Sequence, residues 1–223
     1  MNSDLNSTIE NVGTSFELSR LLQCRIKTIS IVQKVASHIQ EGMTERDCHQ
    51  ILEKTLIEND FIQKWHPTKF RIGKNTLKSF REESDLQIKL QKNDIFFLDI
   101  GPVYDLHECD YGETFYLGNY EPHQKISMAA REIFFEVSEI WKNQRLSGKK
   151  LYIEAGKIAD KKGYILNLNM NGHRIGDFPH AIHYKGKLGE TDTMVKNNLW
   201  VLEILIRHPE ESFGAFYEDI LLL

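Results

Sequence analysis

Apolar residues recur at spacings of three and four from residue 16 to 42, where Leu18, Leu21, Leu22, Ile26, Ile29, Val32, Val35 and Ile39 fall on one stripe. That period predicts an amphipathic helix. Thr44-Glu45-Arg46-Asp47 supplies a hydroxyl cap with an acidic reply three residues on, and predicts a second helix through Ile51, Leu52, Leu56 and Ile57. From residue 61 to 117 the pattern changes to short apolar runs separated by Pro67, Gly73-Lys74-Asn75, Lys92-Asn93-Asp94 and Gly112, as strands and turns require. The same order then repeats. Residues 129–141, with Ile133, Phe134, Val137 and Ile140, and residues 149–162, with Leu151, Ile153 and Ile158, predict two more helices, and strand-like runs follow from residue 164. Two successive helices-then-strands halves predict an α+β fold in which pseudo-duplicated halves share a curved antiparallel sheet covered on its outer face by helices.

Three of the apolar runs carry an acid. Asp99 sits in Ile95-Phe96-Phe97-Leu98-Asp99-Ile100, Glu203 in Trp200-Val201-Leu202-Glu203-Ile204-Leu205-Ile206, and Glu218 in Phe216-Tyr217-Glu218-Asp219-Ile220-Leu221. A buried ionised carboxylate is costly unless it is paired, hydrogen-bonded or bound to metal, and no Lys or Arg interrupts these runs. Asp110 follows Asp99 by eleven residues, a spacing at which a hairpin brings both carboxylates to one face. His173 lies between Gly172 and Gly176. Each has an ordinary reading alone: Asp99 caps a turn before Gly101, and His173 is a core imidazole. Together, four carboxylates and one imidazole form a ligand set for two divalent metal ions, and an oxygen-rich set without thiolate selects Mn²⁺, Fe²⁺, Co²⁺ or Zn²⁺.

The order Asp, Asp, His, Glu, Glu, with Asp99-Ile100-Gly101 at the first position and Gly172-His173-Arg174-Ile175-Gly176 at the third, resembles the pita-bread metallopeptidases. That group includes methionine aminopeptidases, Xaa-Pro aminopeptidases, prolidases and creatinase. The resemblance implies the pita-bread fold, with residues 1–14 as a polar N-terminal tail and residues 15–223 as the catalytic domain of a minimal, single-domain member. It implies that Asp99 chelates one ion, that Asp110 and Glu218 bridge both, and that His173 and Glu203 complete the second. A metal-bound hydroxide would be the nucleophile, Glu203 would relay the proton, and His180, in Asp177-Phe178-Pro179-His180, would hold the intermediate. Sequence alone lets Glu218 and Asp219 exchange places. The family's final-strand glutamate assigns Glu218 and leaves Asp219 solvated or supporting a ligand.

The implied activity is hydrolysis of a short peptide or related amide, of aminopeptidase or dipeptidase type. A metal-dependent hydrolase of amide or C–N bonds in small molecules is an alternative, as is a non-hydrolytic pita-bread binding module, although such modules usually lose ligands. One departure bears on substrate. Where methionine aminopeptidases carry a histidine upstream of the first aspartate, this chain has Phe80-Arg81-Glu82. The guanidinium fork of Arg81 would grip a substrate carboxylate, with a solvated strand residue as its ordinary reading. His66-Pro67 reads as a surface turn or a pocket wall, His107 and His183 are unassigned imidazoles nearby, and Trp65, Tyr184 and Trp200 read as packing.

Composition narrows the partners. The 223 residues carry a formal net charge of −4 with no basic stripe, which argues against nucleic acid. The polar start lacks an apolar signal core, and no run approaches the roughly 18 apolar residues of a membrane span, so a cytoplasmic protein with no membrane partner is expected, as a monomer or homodimer. Cys24, Cys48 and Cys109 form no Cys-x-x-Cys pair and read as reduced thiols, Cys109 filling space beside Asp110.

Overall fold

The first apolar stripe folds as helix α1 (Leu18–Ala36) in a computed structural model that describes residues 9–61, 63–195 and 198–222. It buries Leu21, Ile31, Val32 and Val35 and leaves Ile26 exposed; Ile39 is buried beyond the helix end rather than within it. Helix α2 (Glu45–Glu58) opens on the expected capping box, in which Asp47 N–H donates to the Thr44 hydroxyl (3.2 Å) and Thr44 N–H donates to the Asp47 carboxylate (2.9 Å). Helices α3 (Glu121–Gln144) and α4 (Gly148–Lys161) follow the second pair of stripes. The start of α3 precedes its apolar stripe because Pro122, suited to a first turn, nucleates it there.

The strands are β1 (Gln63–Lys64), β2 (Lys69–Ile72), β3 (Asp94–Ile100), β4 (Pro102–Tyr104), β5 (His107–Glu108), β6 (Tyr111–Leu117), β7 (Ile165–Leu166), β8 (His173–Arg174), β9 (Trp200–Arg207) and β10 (Gly214–Ile220). The main sheet runs β2-β3-β6-β10-β9-β7 with β8 paired to β9, and β1, β4 and β5 make a small second sheet. Every pairing is antiparallel. The order reads outward from the β6–β10 junction as mirror-ordered halves, so the duplication expected from the sequence is built into the sheet.

Alternation along each strand separates two faces. Phe96, Leu98, Ile204 and Tyr217 belong to the large core that also contains Ile126, Ala130, Ile133 and Val137 of α3. Phe97, Leu205 and Phe216 form a smaller cluster with Met170 and Phe80, and share the other face with Asp99, Glu203 and Glu218. Residues 1–8 lie outside the described residues. Residues 9–13 are held against the His173 segment: Arg174 donates to the Ile9 and Asn11 carbonyls (2.8 and 2.9 Å), and Gly13 N–H donates to the Asp177 carboxylate (2.9 Å). Among the described residues no helix is long and apolar enough to cross a membrane.

Candidate metal centre

Both halves of the sheet deliver acids to one cavity of about 410 Å³, lined by Asp99, Asp110, His173, Glu203 and Glu218 together with Trp65, His66, Phe80, His180, Ala181 and Lys185. Asp99 lies on β3 opposite Gly112 of β6, and Asp110 sits in the turn entering β6, so the eleven-residue spacing does close into one face. Glu203 and Glu218 face each other directly across β9 and β10. Like charges in that register repel, and Glu218 is buried with its Oε1 lacking any hydrogen-bond partner among the described residues. His173 is placed by the β8–β9 pairing. Gly172 before it has φ 74° and lies where a Cβ would come within 2.5 Å of the Val201 carbonyl, so only glycine fits.

Two groups of donor atoms, each with all members within 4.8 Å of one another, meet at Asp110: His66, Asp99 and Asp110 in one, Asp110, His173 and Glu218 in the other. Glu203 lines the same cavity outside both groups, its Oε2 accepting the Gly172 N–H at 2.6 Å. Burial pushes Asp99 up to about 7, against the pull of His66 and with the repulsion of Asp110 and Glu203. Glu218 rises well above the usual carboxylate range, through burial and then the charges of Asp110, Asp99 and Glu203. Glu203 rises through burial, which His173 only partly offsets. Asp110 goes the other way, because His66 and His173 outweigh its burial. Burial likewise opposes charge on His66 and His173, but Asp110 beside each wins and pushes both up to about 9. Four converging acids facing two imidazoles leave an excess of negative charge. An orphaned carboxylate oxygen in an oxygen-rich donor set fits divalent metal ions.

The sequence-based readings divide. Glu218 points into the cavity, and Asp219 points to the opposite face, where Arg25 of α1 clasps its carboxylate through Nε (2.6 Å) and Nη2. Asp219 is therefore neither solvated nor in the cavity. His180 lines the cavity on a single 3-10 turn, His180–Ile182. Glu108, buried, accepts the His180 backbone N–H (3.0 Å) on one oxygen and the ring Nδ1–H on the other, which leaves Nε2 facing the cavity. Glu108 escaped sequence reading because one acid beside Cys109 carries no distinguishing pattern.

Of the two readings of His66-Pro67, a surface turn or a pocket wall, the second holds: His66 lines the cavity, with Nε2 3.3 Å from Asp110 and 3.7 Å from Asp99. Trp65, read as packing, is the wall that joins three imidazoles, its ring centroid 4.3 Å from His66, 5.0 Å from His173 and 5.2 Å from His180. Phe80 lines the cavity, while the exposed Arg81 lines a neighbouring one of about 430 Å³ that also touches His173 and Glu203. His107 is a buried strut, accepting the Glu17 N–H (2.8 Å) and donating to the Asp105 carbonyl (2.7 Å).

The sequence matches the profile of metallopeptidase family M24 over residues 20–223. The chain belongs to this family. Among solved structures, it is similar to the X-Pro aminopeptidase from Thermotoga maritima MSB8, with 18% identity and a TM-score of 0.77 over 99% of this chain and 64% of that one. It is similar also to the prolidase from Pyrococcus furiosus (19%, TM-score 0.74, 99% and 64%) and to the Xaa-Pro dipeptidase from Bacillus anthracis (18%, TM-score 0.73, 97% and 60%). The chain spans less than two thirds of the length of each of these. None of the curated proteins compared with it matches. The pita-bread fold inferred from the sequence is the fold of this M24 chain.

Proposed function

We propose that this M24 protein is a dinuclear metallopeptidase of aminopeptidase or dipeptidase type that hydrolyses short peptides. The observation that carries the reading is the convergence of Asp99, Asp110, Glu203 and Glu218 from both halves of the sheet into one cavity with His173, in which Glu203 and Glu218 stand directly opposed. Asp99 and Asp110 would hold one ion, Asp110, Glu218 and His173 the second, with Glu203 completing it. Bound divalent ions supply Lewis acidity that polarises a carbonyl and makes water nucleophilic near neutral pH.

The remaining chemistry belongs to the chain. Glu203 takes the proton of the attacking water on its carboxylate and passes it to the leaving amine. His180, fixed by Glu108, directs Nε2 at the developing oxyanion and donates to it when both ring nitrogens carry a proton. Trp65, Phe80 and Ala181 give apolar walls that exclude water, in a cavity sized for a short substrate. Lys185, exposed at the cavity wall, is better placed than Arg81 to attract a substrate carboxylate. The retained acid set supports a hydrolase over a binding module. Three free cysteines, all buried, support the cytoplasmic location that is part of the same proposal.

The test is to load the purified protein separately with Mn²⁺, Fe²⁺, Co²⁺ or Zn²⁺ and assay short peptides varied at the first two residues, as free acids and as amides. Chelator-sensitive hydrolysis favouring short free acids is expected, with Lys185→Ala raising KM for the acids more than for the amides. Absence of hydrolysis with every metal and peptide would overturn the reading.

A further inference from the structure

We propose that His66 is a sixth ligand of the metal centre, binding through Nε2 the ion held by Asp99 and Asp110. This rests on the metallopeptidase reading and adds to it a ligand outside the Asp, Asp, His, Glu, Glu pattern.

Two residues from opposite halves of the chain share one arrangement. His173 donates its Nδ1–H to the carbonyl of the next residue, Arg174 (2.8 Å), and directs Nε2 at Asp110 Oδ2 (2.9 Å). His66 donates its Nδ1–H to the carbonyl of its own next residue, Pro67 (2.9 Å), and directs Nε2 at Asp110 Oδ1 (3.3 Å). A backbone carbonyl on Nδ1 fixes the tautomer with its lone pair on Nε2, as ligating imidazoles require. The two rings thus flank the two oxygens of one carboxylate, one from each side. The separations suit ligation: two donors each about 2.1 Å from one ion lie roughly 3.0–3.4 Å apart in octahedral to tetrahedral geometry. Asp99 Oδ1, 3.7 Å from the same Nε2, completes the group of three.

The chain also makes room for this ring. A Cβ on Gly101 would lie 2.1 Å from His66 Cδ2 and Nε2 and 2.6 Å from Trp65 Nε1, so the glycine after Asp99-Ile100 lets both rings lie against the strand. Trp65 is locked there by its indole N–H donating to the Cys109 carbonyl (2.8 Å), and Phe80 packs edge-on against His66 at 5.5 Å. An imidazole held by a backbone carbonyl and two aromatic rings is preorganised, with only Nε2 free to bind.

The test uses the metal alone. Metal-free protein and His66→Gln are titrated with Co²⁺ by calorimetry, and proton spectra of the Co²⁺-loaded forms are searched for the paramagnetically shifted, exchangeable ring N–H of each ligated histidine. Wild type is expected to show two such signals and two Co²⁺ ions bound; His66→Gln is expected to lose one signal and to weaken one ion by at least about tenfold, the lower end of the effect even of groups that only orient ligands. Should the variant fail to fold by near-ultraviolet circular dichroism, the number of shifted signals in wild type decides. One signal in wild type, or unchanged affinity and spectrum in a folded His66→Gln that still binds two ions, overturns the role of His66 and leaves the metallopeptidase reading standing. No Co²⁺ uptake by wild type overturns both.

Discussion

The two faces of the main sheet are built by the same strands on opposite rules. On the helix face, Asp219 meets Arg25 of α1 in a two-pronged ion pair, and the neighbouring buried Glu113 accepts the Tyr111 hydroxyl (2.8 Å) and has Arg131 at 3.5 Å. The charge of Asp219 is balanced. On the cavity face, one residue away along the same strand, Glu218 stands opposite Glu203 with Asp99 and Asp110 close by; the imidazoles of His66 and His173 face them, and Lys185 is exposed at the cavity wall. The charge of Glu218 is in excess. A buried acid is therefore not by itself the mark of a site; the mark is a buried acid for which the fold supplies no fixed cation.

The sharpest way to break that contrast is chemical. Glu203→Gln on the cavity face keeps the acceptor for Gly172 N–H but not the proton-carrying oxygen pair, and single-turnover rates of the metal-loaded variant should fall by about 10²–10⁴-fold, the range for a lost general base. Wild-type rates would remove Glu203 from the reaction.

The charge excess also sets a pH dependence. Asp99 is raised from its ordinary value to about 7, so without metal the stability it allows is present at low pH and is lost as pH rises from about 4 through 7. His66 and His173, raised to about 9, contribute stability that is full below about 6.5 and is lost as pH rises through 9. Asp110, lowered, has already made its contribution above about 4. The metal-free protein should therefore lose stability between pH 5 and 9. Divalent cations, which compete with those protons, should raise Tm more at pH 8.5 than at pH 5.5; one site adds about 2.7 kcal/mol of stability where the free ion is a hundredfold above its Kd. Thermal melts with and without Co²⁺ across that range check it, and a metal effect independent of pH would contradict the charge imbalance.

The helix face should give the smallest effect on chemistry. Asp219→Asn leaves Arg25 without its anion and should cost about 2 kcal/mol in chemical denaturation, as a lost charged hydrogen bond does. The folded variant should hydrolyse peptides within about twofold of wild type, the span of a ±0.5 kcal/mol surface change. A large loss of turnover would mean that the two faces are coupled.

Periodicity alone determined the helices, the duplication and the α+β class, because burial of one stripe or one face imposes its spacing on the chain. The run of apolar residues around Asp99, Glu203 and Glu218 also announced acids that something had to neutralise. What the one-dimensional pattern lacked was direction across the sheet. Adjacent Glu218 and Asp219 are equivalent in composition, and only the β9–β10 register and the approach of α1 send one to the cavity and the other to Arg25. His66 and Glu108 were legible only in three dimensions for a related reason. His66 follows β1, whose path is set by pairing with β4, and Glu108 lies on the two-residue strand β5 beside β4, so their proximity to Asp110 and His180 is a property of tertiary contacts and not of any spacing along the chain.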